Sequence, residues 1–306
     1  MPVKDFRRVK PLQSGSRVAL VAPAGPLQKP DELPRAENNA RSLGFEPIVA
    51  RHATKKTGYL AGNDSDRLDD INHALRDPTI DAVWCLRGGY GMLRILAGID
   101  FDAISRSPKA LIGYSDVTAL HAAVQRKCEL ITYHGPTARE ALSDFSRDSF
   151  ERAVIAQVDS CGVAPNAREI RRGATEGRLV GGNLAVLTSL CGTSFMPDLT
   201  DGILILEDIN EPVYRIDRML QQLRLSGALD ACRAIVFGEC VKCDENGGGG
   251  GESFDALLAE IASALDVPCL AGIPVGHIDR QWTIPLGALA ALDTSSATLT
   301  VTSDSV

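Results

Sequence analysis

The first half of the chain alternates short apolar runs with stretches of helical periodicity, and this alternation restricts the fold more than any other feature. Residues 17–22, 46–50, 82–86, 110–113 and 130–133 read as strands. Between them, residues 34–43, 64–75, 92–96 and 117–124 read as helices. Leu68, Ile71 and Leu75 share one face of the second of these, acidic residues crowd its first turn, and Gly44 stops the helix before it. Strand, helix and strand in repetition build parallel βαβ units, so the fold class is α/β. Ligands of such sheets lie beyond the carboxyl ends of the strands. Two strand ends are rich in glycine or polar groups: Arg87-Gly88-Gly89-Tyr90-Gly91 and Gly113-Tyr114-Ser115-Asp116.

The rhythm is lost between about residues 140 and 174, where charged stretches suggest a helix followed by a linker. This divides the chain into an N-terminal domain over residues 1–150, a linker over 151–175 and a C-terminal domain over 176–306. In the last of these, residues 177–183 read as a turn into an apolar segment at 184–190. Residues 203–206 form a strand with an acidic end, 214–225 an amphipathic helix closed by Gly227, and 234–238 a further strand. Five consecutive glycines at 247–251 predict a flexible surface loop, 254–265 a helix, and 288–293 and 298–301 closing strands.

Composition narrows the function. With 306 residues, 44% of them apolar, the chain buries a large core without disulfide or metal staples. A formal net charge of −7 argues against general nucleic-acid binding, which calls for a basic face, and favours a small-molecule or peptide partner. No apolar run reaches the roughly 18 residues of a membrane span. The basic N-terminus is followed by no signal-peptide core, so the expected location is the cytoplasm, away from the membrane. The eight cysteines are scattered; Cys240 and Cys243 form one C-x-x-C with no second pair to complete a zinc site. No metal or cofactor is expected, and G-x-G-x-x-G, the phosphate-binding G-x-x-x-x-G-K-[ST] and H-E-x-x-H are all absent.

Three residues stand out chemically. Ser115 follows an apolar strand and Gly113 and precedes a helix, the setting of a nucleophile elbow, although the second glycine of G-x-S-x-G is missing. The same setting suits a helix N-cap. Glu207 is the first polar residue after the run 203–206, placed to orient an imidazole, though Asp208 and Glu211 share the same acidic stretch. His277 ends the glycine- and proline-rich segment 272–277, where an imidazole is exposed and its backbone held; it could act as general base and then acid, or be a plain loop histidine. Of the other histidines, His52 and His73 offer no clue, His121 lies on the helix after Ser115, and His134 ends a strand and could face the cleft. Gly88 and Gly89 allow close approach of a substrate backbone and offer N–H groups to an oxyanion, and Arg87 suits a terminal carboxylate.

Together these segments resemble the LD-carboxypeptidase family of serine peptidases. The pieces that carry the resemblance are Val18 to Gly25, Leu86 to Gly91, Ile112 to Leu120, Tyr133-His134-Gly135-Pro136, Glu176-Gly177 with Gly181-Gly182-Asn183, Leu206-Glu207-Asp208 and Gly272 to His277, in the family's order over most of the chain. The resemblance implies an N-terminal flavodoxin-like parallel-sheet domain, a C-terminal mixed β/α domain, an active site between them, and a homodimer. It implies a Ser115, Glu207 and His277 triad, with an oxyanion held by backbone N–H groups of Gly89 and Asp116. The implied substrate is a murein tetrapeptide that loses its terminal D-alanine in the cytoplasm during cell-wall recycling. A related branch cleaves microcin-type peptidyl nucleotides and confers self-immunity. Two readings compete with it: an amidase-like hydrolase using Cys85, and a non-catalytic peptide-binding protein.

Overall fold

A computed structural model describes residues 6–243 and 254–302. The five-glycine segment expected as a surface loop lies outside these residues. The first half contains strands β1 (Arg17–Val21), β2 (Glu46–Val49), β3 (Ala82–Cys85), β4 (Ala110–Gly113) and β5 (Thr132–His134). Helices α1 (Glu32–Ser42), α2 (Asp64–Arg76), α3 (Met92–Ile95), α4 (Phe101–Arg106) and α5 (Thr118–Cys128) lie between them. The five strands are parallel in the order β5-β4-β3-β1-β2. Every residue of β3 and β4 is buried, as a sheet covered on both faces requires. The strand order reverses between β1 and β3, so the segments leaving their carboxyl ends diverge and open a crevice. There Gly25 N–H donates to Gly88 O at 2.8 Å, joining the two loops.

The segment expected to be a helix and linker is more structured than its composition suggests. It contains α6 (Asp144–Glu151), a π-helical turn over Arg152–Ala156, and strands β6 (Gly162–Val163) and β7 (Arg168–Arg171). These strands pair at opposite ends of a second sheet, and long-range pairing of this kind leaves little local signature in a polar segment.

The remaining elements are β8 (Ala174–Asn183), α7 (Leu184–Ser189), β9 (Gly202–Ile209), α8 (Val213–Leu225), β10 (Ala234–Val241), α9 (Phe254–Leu265), β11 (Cys269–Gly276), β12 (Ile284–Leu286), β13 (Leu289–Asp293) and β14 (Thr298–Val301). The second sheet has the order β6-β14-β13-β8-β9-β10-β11-β7, with a parallel centre and antiparallel flanks. Strand β12 leaves it and pairs antiparallel with β5, Ile284 opposite His134, so the C-terminal half completes the first sheet. The protein is therefore a mixed α/β fold built on two sheets.

Residues 177–183 are strand where a turn was expected. Gly181 and Gly182, with φ of +118° and +129°, continue β8. A Cβ on Gly181 would lie 2.1 Å from the carbonyl oxygen of Ile205 on the adjacent strand. These glycines mark close backbone approach within a sheet rather than chain reversal. One apolar core envelops both faces of the first sheet and reaches the second, joining Val18, Leu20, Val83 and Ile112 to Ile203, Ile205, Val236 and Ile273. A second, containing Leu204, Leu206, Ile235 and Phe237, packs under α8 and α9 on the far face.

Candidate active site

Ser115 sits between β4 and α5, at the start of a 3-10 turn. Its φ is +63°, a left-handed conformation that L-residues other than glycine rarely adopt. Such strain is typical of a nucleophile elbow and throws the side chain away from the helix. The N-cap alternative is not realised: the Ser115 hydroxyl meets an imidazole across the interface of the two halves instead of a helix N–H.

Glu207 lies within β9, which runs on to Ile209, so it is not the first residue beyond the strand. Alternation explains its direction. Leu204 and Leu206 face the far core; Ile203 and Ile205 face the core shared by both sheets, and Glu207 comes next in that inner row. Its side chain is fully buried. His277 follows β11 directly. A Cβ on Gly276 would stand 3.1 Å from both Glu207 Cβ and Glu207 Oε2, so the glycine allows the end of β11 to close on the carboxylate.

The structure brings these three side chains together. His277 Nε2 is 3.2 Å from Ser115 Oγ, and His277 Nδ1 is 2.9 Å from Glu207 Oε2. The Tyr114 ring packs edge-on against the imidazole at 4.9 Å, while its hydroxyl donates to Glu140 Oε1 at 2.7 Å. Burial disfavours the imidazolium, but the hydrogen bond and charge of Glu207 prevail and raise the His277 pKa above its ordinary value. The neighbouring Asp208 is pushed up to about 6 by burial and by the Glu207 charge. Asp208 instead accepts from Ala185 N–H and from the Asn183 amide, tying α7 to β9. Neither this network nor the Tyr114–Glu140 pair was read from the sequence; Glu140 falls where the periodic pattern fades.

The glycine-rich loop after β3 lies against the elbow. A Cβ on Gly88 would be 2.8 Å from Ser115 Cβ and 3.0 Å from Ser115 Oγ, so the loop backbone touches the serine. Gly89, at φ +101°, follows it and packs on Gly25. The Asp116 carboxylate accepts from Met92 N–H at 2.7 Å and is pushed up to about 6 by burial; it braces the loop from below. Arg87 folds onto the β1–α1 connection and donates to Pro26 O at 2.7 Å. A groove of about 370 Å³ that includes Ile278, the residue after His277, is lined by Glu239, Arg280 and Asn166 among others.

The remaining candidates separate cleanly. Cys85 is buried, and burial first, then the Asp116 charge, push its thiol up to about 12, so it holds no thiolate to attack a carbonyl. His52 bonds to Asp70 at 2.9 Å. His121 and His134, which could have lined a cleft, are wholly buried. Among the described residues, no group of three or more His, Cys, Asp or Glu side chains is arranged to hold a metal ion, and no helix is long and apolar enough to cross a membrane.

Comparison with known proteins agrees with this architecture. Residues 18–135 match the LD-carboxypeptidase N-terminal domain and residues 176–292 the LD-carboxypeptidase C-terminal domain. The chain is 36% identical to the probable murein peptide carboxypeptidase of Bacillus subtilis, over 95% of this chain and 93% of that one. It superposes on the crystal structure of the muramoyltetrapeptide carboxypeptidase of Oxalobacter formigenes with a TM-score of 0.82 and 32% identity, covering 94% of this chain and 98% of the other. The microcin C7 self-immunity protein MccF gives a TM-score of 0.86 at 25% identity, covering 96% and 98%. This chain belongs to the LD-carboxypeptidase family and is a serine carboxypeptidase.

Proposed function

We propose that this member of the family releases the terminal D-alanine of murein tetrapeptides, with Ser115 as nucleophile, His277 as general base and acid, and Glu207 as the group that orients His277. The observation that carries the reading is His277 held between Ser115 Oγ at 3.2 Å and Glu207 Oε2 at 2.9 Å. The bond to Glu207 leaves Nε2 of the neutral ring without a proton and facing the hydroxyl, the tautomer a general base requires. His277 takes the Ser115 proton as Oγ attacks the scissile carbonyl. The N–H groups of Gly89 and Asp116 receive the oxyanion; loss of one such donor typically costs about 10²–10³ in rate. The imidazolium returns its proton to the leaving amine of D-alanine, and water then cleaves the acyl-enzyme by the same route in reverse.

Substrate charge supports the murein assignment. A tetrapeptide carrying a diamino acid presents amine and carboxylate groups together, and the groove beside His277 carries both Glu239 and Arg280. The relative from Bacillus subtilis and the structure from Oxalobacter formigenes bear names of murein-peptide carboxypeptidases. Turnover in the cytoplasm by a homodimer completes the proposal. A second reading, hydrolysis of a microcin-type peptidyl nucleotide, is favoured by the likeness in fold to the self-immunity protein.

The test is mass spectrometry of purified murein tetrapeptide and, separately, a peptidyl-sulfamoyl nucleotide, each with wild type and with Ser115→Ala. Release of one D-alanine by the wild type alone supports the proposal. Cleavage of the nucleotide only assigns the second reading, and full turnover by Ser115→Ala removes the triad.

A further inference from the structure

The triad leaves one buried polar requirement open. Glu207 gives Oε2 to His277, but its other oxygen, Oε1, is buried and, among the described residues, has no hydrogen-bond partner. A buried carboxylate oxygen without a donor costs several times what an ordinary hydrogen bond contributes. Near it lies a second requirement of opposite sign. His134, at the end of β5, is fully buried, and neither Nδ1 nor Nε2 has a partner among the described residues. A neutral imidazole always carries one N–H and needs an acceptor for it.

Topology brings the two together. His134 pairs with Gly113 of β4, two residues before Ser115, and with Ile284 of β12. Its Nδ1 reaches β8: a Cβ on Gly182 would stand 3.2 Å from it, and the next residue, Asn183, is the pairing partner of Glu207. The ring stands 5.9 Å from that of Tyr114, which in turn packs on His277. It also interacts electrostatically with both Glu207 and His277.

We infer that His134 is a positioning residue of the active site: its neutral imidazole donates to Glu207 Oε1 through one bridging water and fixes the carboxylate that orients His277. This rests on the triad proposed above. Burial keeps His134 neutral, with its pKa pushed down to about 4 against the opposing pull of Glu207, so the N–H is available throughout the working range. The charged and titratable groups around the pair are His121 from α5, Tyr114 after β4, Glu140, Asp208 of β9, Cys240 of β10 and His277 after β11. His121 is buried and stays neutral as well, pushed down to about 3, and its Nε2 is occupied by Gly113 O at 2.8 Å. His134 is the histidine left to serve Glu207.

A donor on Glu207 spreads its negative charge and weakens its hold on the His277 imidazolium. Removing the donor strengthens that hold, so the acid limb of kcat/KM moves to higher pH. His134→Leu is expected to lower kcat by about tenfold, leave KM within about twofold, and raise the acid limb by about half a pH unit, the effect of one hydrogen bond to a charged group. His134→Gln, which keeps an N–H donor, is expected to recover most of the rate and return the limb toward its wild-type position. Wild-type kcat and an unmoved limb in His134→Leu, with Ser115→Ala inactive, would overturn the inference and leave the triad standing. Turnover by Ser115→Ala would overturn both. Should His134→Leu fail to fold, histidine ¹⁵N NMR of the wild type and of Glu207→Gln decides the matter. A ring N–H signal of His134 that moves on losing the carboxylate supports the donor role, and an unchanged signal refutes it.

Discussion

Gly88→Ala offers a direct test of how tightly the glycine-rich loop is fitted to the serine. Gly88 has no left-handed φ, so alanine meets no backbone penalty and the effect is one of space. The new Cβ would lie 2.8 Å from Ser115 Cβ, 3.0 Å from Ser115 Oγ and 3.1 Å from Tyr114 O. Ordinary carbon contacts begin near ~3.5 Å, so loop and elbow must separate by about 0.7 Å. None of the three atoms lies at the end of a long flexible side chain, and Ser115 is already held at φ +63°. The Ser115–His277 contact, 3.2 Å, is close to the outer limit of a hydrogen bond and would not survive such a shift. Misplacement on the scale of 1 Å costs about 10²-fold in rate, and overpacking of this kind costs about 1–3 kcal/mol of stability. The assay is D-alanine release under saturating tetrapeptide, with thermal unfolding alongside. Gly88→Ala should lose about two orders of magnitude in kcat and a few degrees in Tm. In a Ser115→Gly background, which removes the two nearest of the three atoms it strikes, the same substitution should cost less stability. Wild-type kcat and Tm in the single variant would refute the packing argument.

Three further outcomes are expected. Ser115→Gly should abolish turnover yet be more stable than Ser115→Ala by about 1 kcal/mol, because glycine accepts φ +63° without strain; a lower unfolding temperature than the alanine variant would contradict this. The raised pKa of His277 means the imidazolium persists to higher pH and the free base is lost as pH falls through it. The acid limb of kcat/KM should therefore lie above the ordinary histidine value and fall by about one unit in Glu207→Gln, where the stabilising charge is gone; an unchanged limb would separate the two groups. Cys85→Ala should retain turnover within about twofold, since its thiol is buried and pushed up to about 12, and any effect should appear in thermal stability; loss of activity with normal stability would reopen the cysteine reading.

The two halves of the molecule differ in how much the sequence reveals. The βαβ half is legible because its central strands β1, β3 and β4 are buried on both faces and α2 on one, so periodicity and composition outline these elements. Ser115, Glu207 and His277 are also legible as candidates, for each stands where an apolar strand runs into polar chemistry. What sequence reading missed was decided by neighbours far away along the chain. Gly181 and Gly182 look like a turn until the Ile205 carbonyl is seen beside them. Strands β6 and β7 are short and polar and exist only because β14 and β11 offer them an edge. Likewise β12, three residues long, gives no local sign that it will leave its own half and pair with His134. The meeting of residues 115, 207 and 277 is of the same kind. Local sequence marks a serine at a strand-to-helix turn that suits an elbow or an N-cap, a carboxylate at the end of an apolar run and a histidine that follows a glycine. Only the packing of the two sheets across one core determines that these ends converge to hydrogen-bonding distance, because such contacts depend on the relative placement of strands that share no local interaction.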